Sequence, residues 1–482
     1  MTGHMTPEEF RRYGKQVVDW VADYLSTIED RPVRSPLAPG EVRDRLPAHP
    51  PERGEPFEDL LGDLDRVILP GITHWQHPDF FAYFPANASG PAILGDLLSS
   101  GLGVQGMVWA TSPACTELET VVVDWLAELL GLPAEFRTDG AGGGVIQDSA
   151  SSAALVALLA ALHRASGGKI RDHGVTGTYR IYVSTETHSS LQRAGRIAGL
   201  GGENVRMVPV DPVTLAMDVA ELRRMIAEDV AGGAVPALVC ATIGTTSTTA
   251  IDPVAEIGAV CRAAGVWLHV DAAYAGSAAV CPELRWINDG VAEYADSYAT
   301  NPHKWLLTNF DCGVLWVRDR RPMIDALSIL PEYLRNTATE SGEVIDYRDW
   351  QVPLGRRFRA LKLWSVIRWY GAEGLRAHIR NCVELAARFA RLIDADDGFE
   401  LHPGHPFGLV CFRPRWPSSV PDPDAETLAA MERLNASGEL FLSHTKVNGH
   451  VLLRLAVGSP ATRAEHVEAA YRRIAAACQE RR

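Results

Sequence analysis

A chain of 482 residues with 46% hydrophobic and 22% charged side chains has the balance of an ordinary globular protein and length for two or three domains. Its 46 Lys+Arg against 60 Asp+Glu give a net charge of −14 with no basic block to offset it, which argues against a nucleic-acid partner. The eight cysteines form no C-x-x-C pair, so neither a metal site nor a disulfide framework is expected.

The opening "MTGHMTPEEFRRYGK" has no apolar signal-type run, and the longest fully apolar run, "AALVALLAAL" at 153–162, is too short to cross a bilayer. A cytoplasmic protein is expected. Thr6, Pro7 and Glu9 spell a capped helix start. Phe10, Tyr13, Val17, Val21, Tyr24 and Ile28 then recur at helical spacing, giving one apolar face that a partner subunit or the body of the chain must cover.

From about 90 to 370 the pattern changes to short β-rich runs separated by helical stretches. The runs are "RIYVST" (180–185), "VRMVPV" (205–210), "PALVCATI" (236–243), "VWLHVD" (266–271), "YADSYA" (294–299) and "CGVLWV" (312–317). Such alternation predicts an α/β fold, a mostly parallel sheet covered by helices on both faces. Ligands in these sheets sit beyond the carboxyl ends of the strands. After about 375, "LVCFRP" and "HVLLRLAV" between helical patterns predict a smaller α+β domain. The G-x-G-x-x-G match "GLGVQG" (101–106) follows a helical rather than a strand pattern, so a dinucleotide site is not expected there.

The strand ends carry the chemistry. "GGGVIQDSASSAALVALLAALH" opens a helix at Ser149, Ala150 and Ser151, which suits a phosphate or ordinary serine capping. "VSTETHSS" puts His188 past a strand, and "ATIGTTSTTAIDP" ends another in Gly244, Thr245 and Thr246. "WLHVDAAYAG" ends an apolar strand in Asp271, whose desolvation asks for a partner; His269 shares its face and is either that partner or simply packed. Lys304 follows 33 residues later between His303 and Trp305. A phosphate-binding helix start, a flat histidine, a buried aspartate and a lysine at the cleft, in this order, together fit pyridoxal 5′-phosphate. The lysine condenses with its aldehyde and the acid keeps its ring nitrogen protonated.

"HVDAAYAGSAAVCPELR", "NPHKWLLTNFDCG", "HPDFFAYFPA", "SPACTELE" and "DYRDWQVPLGRRFR" resemble the aromatic-L-amino-acid decarboxylases, group II pyridoxal-phosphate enzymes, over nearly the whole chain. The resemblance implies the aspartate-aminotransferase type of fold. It also implies a division into an N-terminal helical dimerisation segment (1–88), a large cofactor domain (89–375) and a small C-terminal domain (376–482). It gives Lys304 the covalent link, Asp271 the pyridine nitrogen, and His188 the place stacked on the ring. Ala150, Ser151 and Asn301 would hold the phosphate, with His303 and Thr246 beside the cofactor. Tyr333 would return a proton to Cα after carbon dioxide leaves. The family is dimeric, with active sites at the interface.

For the substrate, the resemblance lines up Trp75, Tyr83, Phe84, Ala86, Gln105, Met107 and Gly355 as the ring pocket. Gln105 stands where apolar or aromatic residues are common, and its amide suits either a ring N–H or a ring hydroxyl. Gly355 matches a position where plant relatives with glycine tend to favour indoles, so tryptophan is favoured. Phenylalanine, tyrosine, dihydroxyphenylalanine and 5-hydroxytryptophan are the other candidates. Related aldehyde synthases carry phenylalanine at the position of Tyr333 or asparagine at that of His188, so an amine product is expected over the aldehyde. The remaining alternatives are a catalytically silent pyridoxal-fold binding protein and an acidic-amino-acid decarboxylase. Retention of Lys304, Asp271, His188 and Tyr333 weighs against the first, and the aromatic "WQHPDFFAYFP" against the second.

Overall fold

In the computed structural model the described residues are 4–329, 344–404 and 406–479. Seven strands, β1 (Gly143–Gln147), β2 (Tyr179–Ser184), β3 (Val205–Val208), β4 (Val235–Thr242), β5 (Trp267–Asp271), β6 (Ser297–Thr300) and β7 (Gly313–Val317), make one sheet in the order β1-β7-β6-β5-β4-β2-β3. The pairs from β3 through β6 are parallel, and β7 runs antiparallel to both β6 and β1. The chain between β6 and β7 holds only the single turn Pro302–Trp305, so it folds straight back beside β6 rather than crossing over. Most of these strands are buried along their whole length, which is why they read as continuous apolar runs rather than alternating ones.

This topology sets the site. β1, β2, β4, β5 and β6 all point the same way, so their carboxyl ends share one edge of the sheet. Ser149, His188, Thr246, Asp271 and Lys304 follow those ends. The helix Ala150–Ala165 lies against the sheet with Ala153, Ala154, Ala157, Ala160 and Ala161 buried, small side chains that let helix and strands approach closely.

One strand expectation shifts. "YADSYA" divides into the short helix Val291–Tyr294 and β6, because Tyr294 packs on Gly258, where a Cβ would lie 2.3 Å from it. "GLGVQG" begins inside the helix Gly90–Leu102, away from any strand.

The chain forms two compact units, one of Ala86–Glu384 and Pro403–Leu409, the other of Met1–Pro85, Leu385–His402 and Val410–Arg482. Residues 1–85 thus cluster with C-terminal residues. The reason is local packing: Val33, Phe80 and Ala82 gather with Phe441, Val33 donates its N–H to Gly438, and Phe81 donates to Phe441. A four-stranded sheet of β8 (Phe399–Leu401), β9 (Leu409–Pro414), β10 (Ser443–Val447) and β11 (His450–Ala456), in the order β10-β11-β9-β8, belongs to this part of the chain. The first helix, Pro7–Ser26, has the expected capping box, yet Tyr13 is its only buried residue and Phe10 is 61% exposed. No helix among the described residues is long and apolar enough to cross a membrane, and all eight cysteines are buried free thiols.

Candidate active site

Lys304 sits in the one-turn helix after β6, with its backbone N–H on the Asn301 carbonyl. Its neighbours hold that turn. Trp305 is fully buried and stacks on Tyr274 at a centroid distance of 4.7 Å. His303 accepts the Cys312 N–H through Nδ1 at 2.8 Å, and burial pushes its pKa down to about 3, so it is a neutral ring that ties the turn to the start of β7. Burial also lowers the Lys304 pKa, against the pull of the Asp271 carboxylate. A lysine so placed spends more time as the neutral, nucleophilic amine.

Asp271 is the last residue of β5, in register with Thr242 on one side and Ala299 on the other, and it is buried. Its Oδ1 accepts the Ala273 N–H at 3.0 Å. His269 turns out to be packed rather than paired with it. Ser297 Oγ accepts from Trp267 Nε1 at 2.8 Å and shares a hydrogen bond of 2.8 Å with His269 Nδ1. Burial lowers the His269 pKa to about 4. His188 accepts the Ser190 N–H through Nδ1 at 3.2 Å, and the residue is otherwise exposed. Burial of part of the ring lowers its pKa, Lys304 adds to that, and Asp271 opposes it. The three side chains therefore share one electrostatic neighbourhood.

At the start of the helix Ala150–Ala165, Ser149 caps the Ser152 N–H, leaving those of Ala150 and Ser151 for another acceptor. Asn301 is buried and its Oδ1 has no hydrogen-bond partner among the described residues. A Cβ on Gly313 would lie 2.9 Å from that oxygen and 3.2 Å from the Ser149 backbone, so glycine there lets Asn301 and the helix start converge. Thr246 stands exposed at the tip of a turn closed by the Gly244 and Thr245 N–H groups on the Ala250 carbonyl. An orphaned buried amide oxygen, open helix N–H groups, a buried acid and an activated lysine fit pyridoxal 5′-phosphate. Lys304, Ala150, Ser151, Asn301 and Asp271 are the residues that could hold it.

Of the residues expected at the substrate ring, Trp75, Tyr83 and Phe84 belong to the smaller unit and Ala86, Gln105, Met107 and Gly355 to the larger. Trp75 stacks on Tyr83 at 5.8 Å, and Phe84 is buried with the Arg454 guanidinium 5.4 Å from its centroid. Ala86 is half-buried. In the larger unit, Gln105 Oε1 accepts the Arg356 N–H at 2.9 Å, the Gly106 N–H returns to the Arg356 carbonyl at 3.1 Å, and Met107 accepts the Arg348 N–H. Gln105 and Gly355 are thereby brought side by side. Tyr333 lies outside the described residues.

The sequence reading did not single out Glu119 and Arg356, an ion pair at 2.5 Å with both side chains 1% exposed. Glu119 also accepts the Ile146 N–H at 2.8 Å, and Arg356 donates to the Ile146 carbonyl at 3.1 Å while lying over the Tyr347 ring. The pair fastens the loop carrying Gly355 to β1. Burial raises the Glu119 pKa and Arg356 pulls it down. The guanidinium cannot shed its proton, so the carboxylate form is the one that leaves no net buried charge. A signal was available: Cys115, Thr116, Glu119, Val122, Val123 and Leu126 form one buried helical stripe, and a charge inside such a stripe needs a partner.

The pyridoxal-dependent decarboxylase conserved domain matches residues 39–415. A phenylacetaldehyde synthase from Arabidopsis thaliana is 47% identical over 479 residues, 98% of this chain and 96% of that protein. An aromatic-L-amino-acid decarboxylase from Rattus norvegicus is 45% identical over 478 residues, 98% of this chain and 97% of that protein. The crystal structure of Oryza sativa TDC with PLP and tryptamine superposes with a TM-score of 0.96 at 42% identity, covering 100% of this chain and 99% of that one.

Proposed function

The chain belongs to the pyridoxal-dependent decarboxylase family, and from that premise we propose that it releases carbon dioxide from an indole amino acid at the edge where Lys304, Asp271 and His188 meet. It is a pyridoxal-phosphate-dependent carboxy-lyase acting on aromatic L-amino acids. When bound, the cofactor withdraws electrons from the bonds to the substrate Cα.

The chain's own residues do the rest. Lys304 supplies an amine that burial keeps ready to lose its proton. Asp271, locked between two strands, holds a proton on the pyridine nitrogen. His188, fastened by its Nδ1, presents a neutral ring to the cofactor face. Ala150, Ser151, Asn301, His303 and Thr246 seat the phosphate end. In the larger unit, Ala86, Gln105, Met107 and Gly355 belong to the ring wall, where a missing side chain at Gly355 leaves room for two fused rings. Tyr333 returns the proton to Cα, and with His188 it favours the amine over the aldehyde that the Arabidopsis relative's name describes.

A homodimer is part of the same reading. Leu94, Leu97, Leu98 and Leu102 on the helix Gly90–Leu102 are 49–60% exposed, an apolar stripe that a second copy would cover, as it would Phe10 and Val18 of the first helix. A cytoplasmic location completes it. The observation that carries the proposal is the half-buried lysine sharing its surroundings with Asp271 and His188. Borohydride reduction of the holoenzyme should leave a pyridoxyl adduct on Lys304 by peptide mass, and tryptophan should yield tryptamine. An adduct on another residue would overturn the assignment.

A further inference from the structure

The chain between Lys304 and β7 is tied to two other segments along its length. Leu307 is buried and takes a left-handed φ of 55°, a conformation that strains a residue with a Cβ. Asn87 Oδ1 accepts the Leu307 N–H at 3.4 Å, and Ser89 Oγ donates to the Leu307 carbonyl at 2.6 Å. Asn309 Nδ2 donates to Asp96 Oδ2 at 2.6 Å, on the helix Gly90–Leu102. Asp311 accepts from Arg359 Nε at 3.1 Å and Nη2 at 2.9 Å. Lys362 lies between these two carboxylates and is fully buried. Its Nζ donates to Asp96 at 3.1 Å and stands 3.9 Å from Asp311. Arg357, more than half exposed, adds a weaker contact to Asp96 at 3.7 Å. A Cβ on Gly95 would lie 2.7 Å from the Lys362 Cα, so glycine lets the two helices come close enough for that reach. Burial works against the Asp311 carboxylate, yet Arg359 and Lys362 outweigh it and hold its pKa below the usual range. The next residue, Cys312, gives its N–H to His303, the neighbour of Lys304.

We propose that Lys362 is a positioning residue: by joining Asp96 to Asp311 it sets the course of residues 306–312, and so the turn from which Lys304 meets the cofactor. This rests on the reading that Lys304 holds pyridoxal phosphate. An apolar side chain of similar volume would fill the space at least as stably once the facing charge was removed with it. What the ammonium adds is direction, because it draws carboxylates from two separate segments onto one point.

Lys362→Met keeps the straight stem and drops the charge. The holoenzymes are dialysed, and visible absorbance follows the rate of cofactor loss. That rate should be roughly tenfold faster than in wild type, and the visible circular dichroism of the cofactor still bound should change because its seat has shifted. Lys362→Met combined with Asp96→Asn removes one charge of each sign and leaves Asp311 with Arg359. Its urea midpoint should return toward wild type while cofactor loss stays fast; if the single variant fails to fold, this one decides. A wild-type rate and dichroism in the variants, or retention that recovers in step with the urea midpoint, overturns the inference and leaves the role of Lys304 intact. Borohydride-reduced wild type with no pyridoxyl adduct on Lys304 overturns that role, and the inference with it.

Discussion

Glu119→Gln isolates the buried pair that supports the substrate wall. Glutamine keeps an oxygen for the Ile146 N–H but removes the charge that faces Arg356. Both side chains are 1% exposed, the pair runs through Arg356 Nη2, and Nη1 has no hydrogen-bond partner among the described residues. Removing one member of such a pair typically costs about 3–5 kcal/mol, because the other charge stays buried alone. The Tyr347 ring, 4.8 Å from the guanidinium carbon, offsets part of this, so the lower end, about 3 kcal/mol, is expected. Arg356→Met should cost less, since a stranded carboxyl can take up a proton and a guanidinium cannot. The double variant should recover much of the loss. Urea unfolding followed by far-UV circular dichroism and tryptophan fluorescence gives the three midpoints. A Glu119→Gln variant within about 1 kcal/mol of wild type, or a double variant showing the plain sum of the singles, refutes the pair as an energetic unit.

Two further outcomes follow from other parts of the molecule. His269 titrates near 6.5 when unfolded and at about 4 when folded, so its contribution is complete above about 6.5 and is lost as the pH falls toward 4, with His303 acting in the same direction. For His269 alone this amounts to about 3 kcal/mol. The melting temperature should therefore drop across that window and drop less in His269→Gln; a flat profile between pH 6.5 and 4.5 in the wild type contradicts this. Tyr333→Phe should divert product from amine toward aldehyde and ammonia, and an unchanged amine yield removes Tyr333 from its role.

The features set by local pattern were legible in the chain itself. Continuous apolar runs marked the buried strands, and the capping box at Thr6 marked a helix start. The residues just past each strand marked a cofactor site, because strand direction alone carries their backbones to one edge. Where a run was short the pattern misled, as at "YADSYA", since Tyr294 answers to a glycine on another element.

The tertiary structure decided what depends on distant atoms. Whether His269 serves Asp271 or Ser297 turns on a hydroxyl 28 residues away, and periodicity carries no trace of that. Gln105 is the sharper case. An amide offers a donor and an acceptor alike, and the partner its oxygen meets is a backbone N–H 251 residues further along, on a residue whose side chain is held in a buried ion pair. The sequence specifies which groups are present; only the folded chain determines which of their atoms are already taken.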